Sequence, residues 1–130
     1  MIAIDTNVLL RIFITDYKSQ CDRAEHLIAN NDCFVSLSVL QEIIWVLTKS
    51  YGIERADISK AVREIIDTEN LHLQNGFGVS RALLWFESGM DFADALHLVN
   101  ANECGRFHTF DKRFVKSAKN IQSPTQVELL

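Results

Sequence analysis

Short apolar runs alternate with amphipathic helical patterns along the chain, and this alternation constrains the fold more than any other feature. Strand-like runs occur at residues 2–4, 33–37, 71–73, 106–110 and 126–130. Helical spacing of apolar residues occurs at 8–13, 18–30, 38–49, 55–68, 76–88 and 91–103, and in the basic stretch after residue 111. Strands separated by helices favour a parallel sheet that helices cover on both faces. We therefore predict an α/β fold.

The composition supports a single domain. A chain of 130 residues, 48% of them hydrophobic, can bury about two-thirds of its unfolded surface without disulfides or structural metals. Glycine (5) and proline (1) are scarce, and no linker, repeat or low-complexity stretch divides the chain. We predict one domain over residues 1–130.

The sequence predicts neither a signal peptide nor a membrane-spanning segment. No basic region precedes the first apolar residues, and no apolar run approaches the roughly 18 residues that a transmembrane helix needs. Cys21, Cys33 and Cys104 are odd in number and include no Cys-x-x-Cys pair, which argues against a disulfide framework and a thiolate zinc site. We expect a cytoplasmic protein whose cysteines are small buried hydrophobic residues.

Acidic residues follow three of the predicted strands. Asp5 comes after the first strand, Glu42 lies near the first turn of the helix after the second, and Asp111 follows the fourth. In parallel sheets, the loops beyond the carboxyl ends of the strands face one crevice, where ligands gather. These carboxylates are therefore expected at the same edge of the sheet, although Asp5 by itself also suits a helix N-cap.

Two further acids lie at the start of a helix, in the segment MDFADALHL. Asp91 suits the N-cap and Asp94 the first turn, where the helix dipole favours a negative charge. Asp94 is the stronger candidate for the ligand site, because apolar residues follow it and set it beside a buried face. His97 lies one turn further on, and its apolar neighbours favour a place in the core.

Four carboxylates at one edge require compensation of their charge. Two like charges about 4 Å apart repel by roughly 4 kcal/mol at an effective dielectric near 20. Such a cluster must therefore bind a cation or take up protons. Oxygen ligands suit Mg²⁺ or Mn²⁺ better than Zn²⁺, which favours nitrogen and sulfur, and the four histidines form no zinc pattern. The sequence therefore predicts a site for Mg²⁺ or Mn²⁺.

A local basic patch lies in the segment DKRFVKSAKN, although the formal net charge of the chain is -4. Lys112, Lys116 and Lys119 recur on one helical face, and Arg113 follows the first of them. One interpretation is a solvated helix face whose cations interact favourably with the C-terminal end of the helix dipole. The other is contact of Lys112, Arg113 and Lys116 with the phosphates of a nucleic acid.

Four segments together resemble the PIN-domain ribonucleases, and among them the VapC-type toxins of toxin–antitoxin pairs. The segments are IDTNVLL, SVLQEIIWVL, DFADALHLVNA and TFDKRF, in the family's order and extending over nearly the whole chain. The resemblance implies a three-layer α/β domain whose five-stranded parallel sheet has the order 3-2-1-4-5 and is flanked by helices. It also implies an endoribonuclease that depends on Mg²⁺ or Mn²⁺.

The same resemblance implies roles for individual residues. The catalytic acids would be Asp5, Glu42, Asp94 and Asp111. Glu42 would position or deprotonate the attacking water, while the other three would hold the metal. Asn7 and Thr109 match polar positions that support the metal site, and Asp91 is either an additional ligand or only a helix cap.

The family resemblance further implies a homodimer and a small antitoxin that silences the nuclease. The predicted helices at 38–49 and 76–88 carry more apolar residues than one core face requires, including Trp45, Leu84 and Trp85. We interpret part of this surplus as a surface for the dimer or the antitoxin.

Two other classes of function fit parts of the sequence. An Asp between a strand and a helix also occurs in aspartyl-phosphate phosphatases of the haloacid dehalogenase type. Those enzymes require a second Asp two residues further on, where this chain has Asn7. The other alternative is a non-catalytic PIN-fold module that binds RNA or protein.

Overall fold

A computed structural model describes residues 1–130, and the chain forms two compact units, Met1–Gly76 and Phe77–Leu130. With seven helices and parallel strands, it has the predicted α/β class. The expectations of one domain over residues 1–130 and of three layers stay predictions.

The first unit contains three strands and four helices. They are β1 (Ile2–Ala3), α1 (Thr6–Phe13), α2 (Lys18–Asn30), β2 (Cys33–Val35), α3 (Leu37–Lys49), α4 (Arg55–Asp67) and β3 (Leu71–Leu73). The strands pair in parallel in the order β1-β2-β3, with Cys33 opposite both Ile2 and Leu71. The central strand β2 contributes Cys33 and Val35 to the core, where both are fully buried.

Helices α3 and α4 each bury one stripe of residues at helical spacing. The stripes are Leu40, Ile43 and Leu47 in α3, and Ile58, Val62 and Ile65 in α4. Full burial of one Leu or Ile side chain contributes roughly 1.5–3 kcal/mol, so each stripe determines which face of its helix points inward. The remaining faces of α3 are consequently available to solvent, and they carry Glu42 and Trp45.

The second unit contains the remaining two strands and the remaining three helices, except for the first residue of α5. The elements are α5 (Gly76–Glu87), whose first residue closes the first unit, α6 (Phe92–Asn100), β4 (Arg106–Thr109), α7 (Lys112–Ala118) and β5 (Gln126–Leu129). Strands β4 and β5 pair in parallel, from Arg106 opposite Gln126 to Thr109 opposite Leu129. Helix α7 connects them, and its Phe114 packs edge-to-face on Phe107 of β4 at 5.3 Å between ring centroids.

The predicted five-stranded sheet is not observed. The order 3-2-1 is correct for the first three strands, but β4 and β5 form a separate two-stranded sheet. Strand β1 has only two residues before the chain enters the α1 cap at Asp5, so it offers few backbone groups for pairing with a further strand. Of the strand predicted at residues 2–4, Ile4 is buried, whereas Ile2 is 39% exposed and Ala3 is also exposed.

The helix boundaries agree with the predictions to within a few residues. Helix α3 starts at Leu37 and is capped by Ser36, whose hydroxyl accepts a hydrogen bond from Val39 N at 3.2 Å. Ser38 was predicted to open this helix, but it lies inside the first turn. Helix α6 ends at Asn100, three residues early, because the Ala101 N–H turns back to the carbonyl groups of Leu98 and Val99.

Several predicted burial states need correction. Cys21 and Cys33 are buried as expected, whereas Cys104 is exposed. Trp85 is only 8% exposed and belongs to the core, so it is not part of a binding surface, while Trp45 is 60% exposed. No helix combines the length and apolar character that crossing a bilayer requires.

Candidate functional site

The two acids of α6 occupy its first turn, as the sequence predicted. Asp91 is the N-cap, and its Oδ2 accepts a hydrogen bond from the backbone N–H of Asp94 at 3.3 Å. The capping prediction for Asp91 is therefore confirmed. Asp94 is half-buried, since apolar residues that belong to the core follow it directly in the helix.

Asp111 is the N-cap of α7. Its Oδ1 accepts hydrogen bonds from Arg113 N at 2.8 Å and from Phe114 N at 3.3 Å. The hydroxyl of Thr109 in turn accepts a hydrogen bond from the backbone N–H of Asp111 at 3.0 Å. Thr109 thus holds the backbone of the capping residue, and the second carboxylate oxygen of Asp111 takes no part in the cap.

The electrostatic environment of Asp94 is unusual. Burial raises the pKa of its carboxyl group, and the charges of Asp91 and Asp111 raise it further, to about 6, against a smaller lowering by His97. These three carboxylates of the second unit therefore act on one another through space. A cation beside them would relieve the repulsion and restore the charged form of Asp94.

His97 does not lie in the core, contrary to the prediction. It is exposed on α6, one turn after Asp94, and its charge favours the ionised form of that carboxyl group. The helical period explains the error: the flanking Leu96 and Leu98 face the core, and the residue between them points away from it.

Asp5 is the N-cap of α1. Its Oδ1 accepts a hydrogen bond from Val8 N at 3.1 Å, so the capping alternative that the sequence left open for this residue is confirmed. The cap occupies one carboxylate oxygen and leaves the other free for a ligand. Asp5 and the exposed Asn7 line an open cleft of about 440 Å³ between α1 and α2, together with Arg11 and Arg23.

Arg11 contacts two other side chains on the basic side of this cleft. Its guanidinium group pairs with Asp16 and lies over the ring of Tyr17, 4.9 Å from the ring centroid. Its Nε is buried and has no hydrogen-bond partner. The Arg11 guanidinium group therefore lies one to two turns along α1 from the Asp5 carboxylate.

Glu42 is exposed on the outer face of α3. It lines a second open cleft of about 490 Å³, together with Ser38, Gln41, Trp45 and Val46. Asp5 does not line this cleft.

The basic residues around α7 are exposed and form no ion pairs. They are Lys112, Arg113, Lys116 and Lys119. Their charges are consequently available to an anionic ligand.

The structure brings Asp91, Asp94 and Asp111 into electrostatic contact, yet no group of three or more His, Cys, Asp or Glu side chains is arranged to hold a metal ion. Mg²⁺ does not require such a group, because it binds through one or two carboxylates and keeps several waters. The chemistry of these donors fits Mg²⁺ or Mn²⁺, since all of them are carboxylate oxygens.

Two features of the site were missed from the sequence. Arg11 and Arg23 line the same cleft as Asp5, and Trp45 lines the same cleft as Glu42. Helical spacing contained part of this information, since Trp45 follows Glu42 by three residues and therefore shares its face. The contribution of Arg23 depends on how α2 packs against α1, which no local pattern encodes.

Comparison with known proteins gives one family. The family model described as the PIN domain matches residues 2–120. No curated protein matches the chain in sequence.

Proposed function

This chain belongs to the PIN domain family, whose members are generally nucleases, and from that membership we propose that it is a metal-dependent endoribonuclease that hydrolyses phosphodiester bonds in RNA. We further propose that it is the toxin of a toxin–antitoxin module, in line with the VapC-type motifs of its sequence. The observation that carries the proposal is the set of interacting carboxylates on α6 and α7, which belongs to segments that match the family's motifs.

We propose that the catalytic acids are Asp5, Glu42, Asp94 and Asp111. This assignment rests on the family motifs that contain them. Asp5, Asp94 and Asp111 would hold Mg²⁺ or Mn²⁺, with Asp91 as an additional ligand. Asp5, Asp91 and Asp111 each use one carboxylate oxygen as a helix cap, so each keeps the other for a cation.

When bound, the metal supplies charge neutralisation at the scissile phosphate and lowers the pKa of a water molecule. Glu42 is exposed and accepts a proton from the attacking water or orients it. Lys112, Arg113 and Lys116 neutralise the flanking phosphates. Thr109 supports Asp111 through its backbone, and Asn7 is the polar neighbour of Asp5 in the same cleft.

The direct test is cleavage of single-stranded RNA by the purified chain. We expect internal cleavage that leaves 5′-phosphate ends, requires Mg²⁺ or Mn²⁺ and stops in EDTA. Undiminished cleavage in EDTA would contradict the proposal. Binding of RNA without cleavage would instead identify a non-catalytic PIN-fold module, and release of inorganic phosphate from phosphomonoesters alone would identify a phosphatase.

We also propose a homodimer and a small antitoxin as partners, acting in the cytoplasm. Leu84 on α5 is exposed and supports such an interface, since an exposed large apolar side chain gains by association. Copurification with the product of the adjacent reading frame, with loss of RNA cleavage in the complex, tests the antitoxin.

A further inference from the structure

The outward face of α3 combines a candidate catalytic acid with an aromatic ring. Glu42 and Trp45 are three residues apart, which sets them on one side of the helix and about 4.5 Å apart along its axis. Both line the 490 Å³ cleft. Whatever binds beside the Glu42 carboxylate therefore also meets the indole of Trp45.

Trp45 has no role in the core. The buried stripe of α3 consists of Leu40, Ile43 and Leu47, and the Trp45 side chain is 60% exposed. The other tryptophan, Trp85, is 8% exposed on α5. Trp85 thus packs in the core, whereas Trp45 is exposed to solvent.

Three of the five residues that line the cleft of Trp45 have polar side chains. Ser38, Gln41 and Glu42 line its cleft, and Val46 is the one aliphatic residue there. Protein interfaces centre on apolar patches from which charged residues are depleted. A nucleobase requires a different surface, namely a flat ring on which to stack and amide or hydroxyl groups that both donate and accept hydrogen bonds.

We infer that Trp45 stacks against an unpaired base of single-stranded RNA in this cleft, with the Gln41 amide at the edge of that base. The inference rests on the proposed function and deepens it, because it adds a residue that would hold a base of the substrate beside Glu42. A base within a duplex already stacks on its neighbours and does not offer its face. Lys49, four residues beyond Trp45 and exposed, lies on the same side of α3 to meet a phosphate of the bound strand.

The first experiment measures the affinity of a labelled single-stranded RNA of mixed sequence in EDTA, where the strand stays intact. We expect Trp45→Ala to weaken binding by about 5- to 150-fold, the range of a lost base–aromatic stack. Trp45→Phe keeps a ring and should recover most of this loss. Phe77→Ala is the matched control, since Phe77 is also aromatic and is 80% exposed on a different helix, α5, and it should bind as the wild type does.

A second experiment reads the contact directly. In a Trp85→Phe variant, Trp45 is the sole tryptophan, and we expect RNA to quench its fluorescence with the same midpoint as binding. An abasic strand of equal length carries the phosphates without the bases and should leave the fluorescence unchanged. Duplex RNA should quench weakly at most.

The outcomes separate this inference from the proposed nuclease activity. Wild-type RNA affinity in Trp45→Ala would overturn the inference, and an accompanying change in sedimentation would identify this face as a protein interface. Equal quenching by the abasic strand would also overturn it. If RNA binding depends on Trp45 but no RNA is cleaved with Mg²⁺ or Mn²⁺, the inference stands and the proposed function fails.

Discussion

The carboxylate of Asp91 accepts a hydrogen bond from the backbone N–H of Asp94 at 3.3 Å, so the residue that caps α6 also places a negative charge beside the next acid of the helix. The cap stabilises the helix, while the charge of Asp91 opposes ionisation of Asp94. Asp91 therefore has two separate effects, one on the stability of the helix and one on the pKa of Asp94. Substitutions can separate these effects.

Asp91→Asn tests this separation. Asn caps a helix about as well as Asp, so we expect the melting temperature to stay close to that of the wild type, whereas the pKa of Asp94 should fall from about 6 toward its ordinary value. Asp91→Ala loses the cap as well and should destabilise the protein by about 1 kcal/mol. NMR titration of the Asp94 carboxyl carbon measures the pKa. An Asp94 pKa that is the same in wild type and Asp91→Asn would show that the capping residue exerts no charge effect.

The raised pKa of Asp94 predicts a pH dependence of stability without metal. The unfolded chain releases this proton near pH 4 and the folded chain near pH 6, so the folded state binds more protons between these values. The stabilisation from Asp94 is therefore fully present below about pH 4 and is lost as the pH rises through 6. Because solvent screens this partly exposed group, we expect an effect of about 1 kcal/mol.

Asp94→Asn removes this dependence. In EDTA, thermal melts should show the variant more stable than wild type at pH 7.5, by roughly 4 °C, and equal to it near pH 4. Added Mg²⁺ should raise the melting temperature of the wild type at pH 7.5 but not that of the variant, since ligand binding stabilises only a protein that binds it. A variant that Mg²⁺ stabilises as much as the wild type would remove Asp94 from the metal ligands.

Asp5→Asn should separate capping from catalysis at α1. The amide oxygen of Asn can accept the hydrogen bond that Asp5 takes from Val8 N, so the fold should be unaffected. The negative charge needed for metal binding is lost, and we expect RNA cleavage to fall by orders of magnitude. The measurement is the single-turnover cleavage rate with Mg²⁺ present, beside a thermal melt. Full activity in this variant would refute the assignment of Asp5.

Glu42→Gln addresses the proposed proton acceptor. Loss of a general base slows a reaction by about 100- to 10,000-fold, and we expect a loss in this range together with unchanged RNA affinity in EDTA. The matched control is Glu69→Gln, the same change at an exposed glutamate outside the candidate site, which should retain cleavage. If Glu42→Gln weakens RNA binding as much as it slows cleavage, Glu42 acts in binding and not in proton transfer.

Single substitutions of Lys112, Arg113 and Lys116 by Ala should weaken RNA binding about equally for every sequence. Each lost phosphate contact should reduce the slope of log K against log salt by about 0.7, the value for single strands. Lys119→Ala serves as a control, since Lys119 is equally exposed but lies beyond the end of α7. Unchanged affinity and slope in all three variants would identify the patch as a solvated helix face.

Local sequence patterns determined the elements of this protein and most of their boundaries. The prediction of helix over 18–30 and of strand over 71–73 agrees with α2 and β3 in every residue. The Asp91 cap was equally predictable, because a cap joins groups only three residues apart. Such features depend on dihedral preferences and short-range hydrogen bonds, and neither changes much with the rest of the fold.

Only the tertiary structure decided which residues are buried and which strands pair. Trp45 and Trp85 both lie on apolar helices, but one is exposed and the other buried, because α5 buries residues over a much wider arc than the single stripe of α3. Likewise, Asp94 and Asp111 interact electrostatically although 16 positions separate them along the chain, and only the tertiary fold of the second unit brings them together. Burial, strand pairing and electrostatic coupling depend on partners far away in the chain. A local periodicity of 2 or 3.6 residues therefore does not predict them.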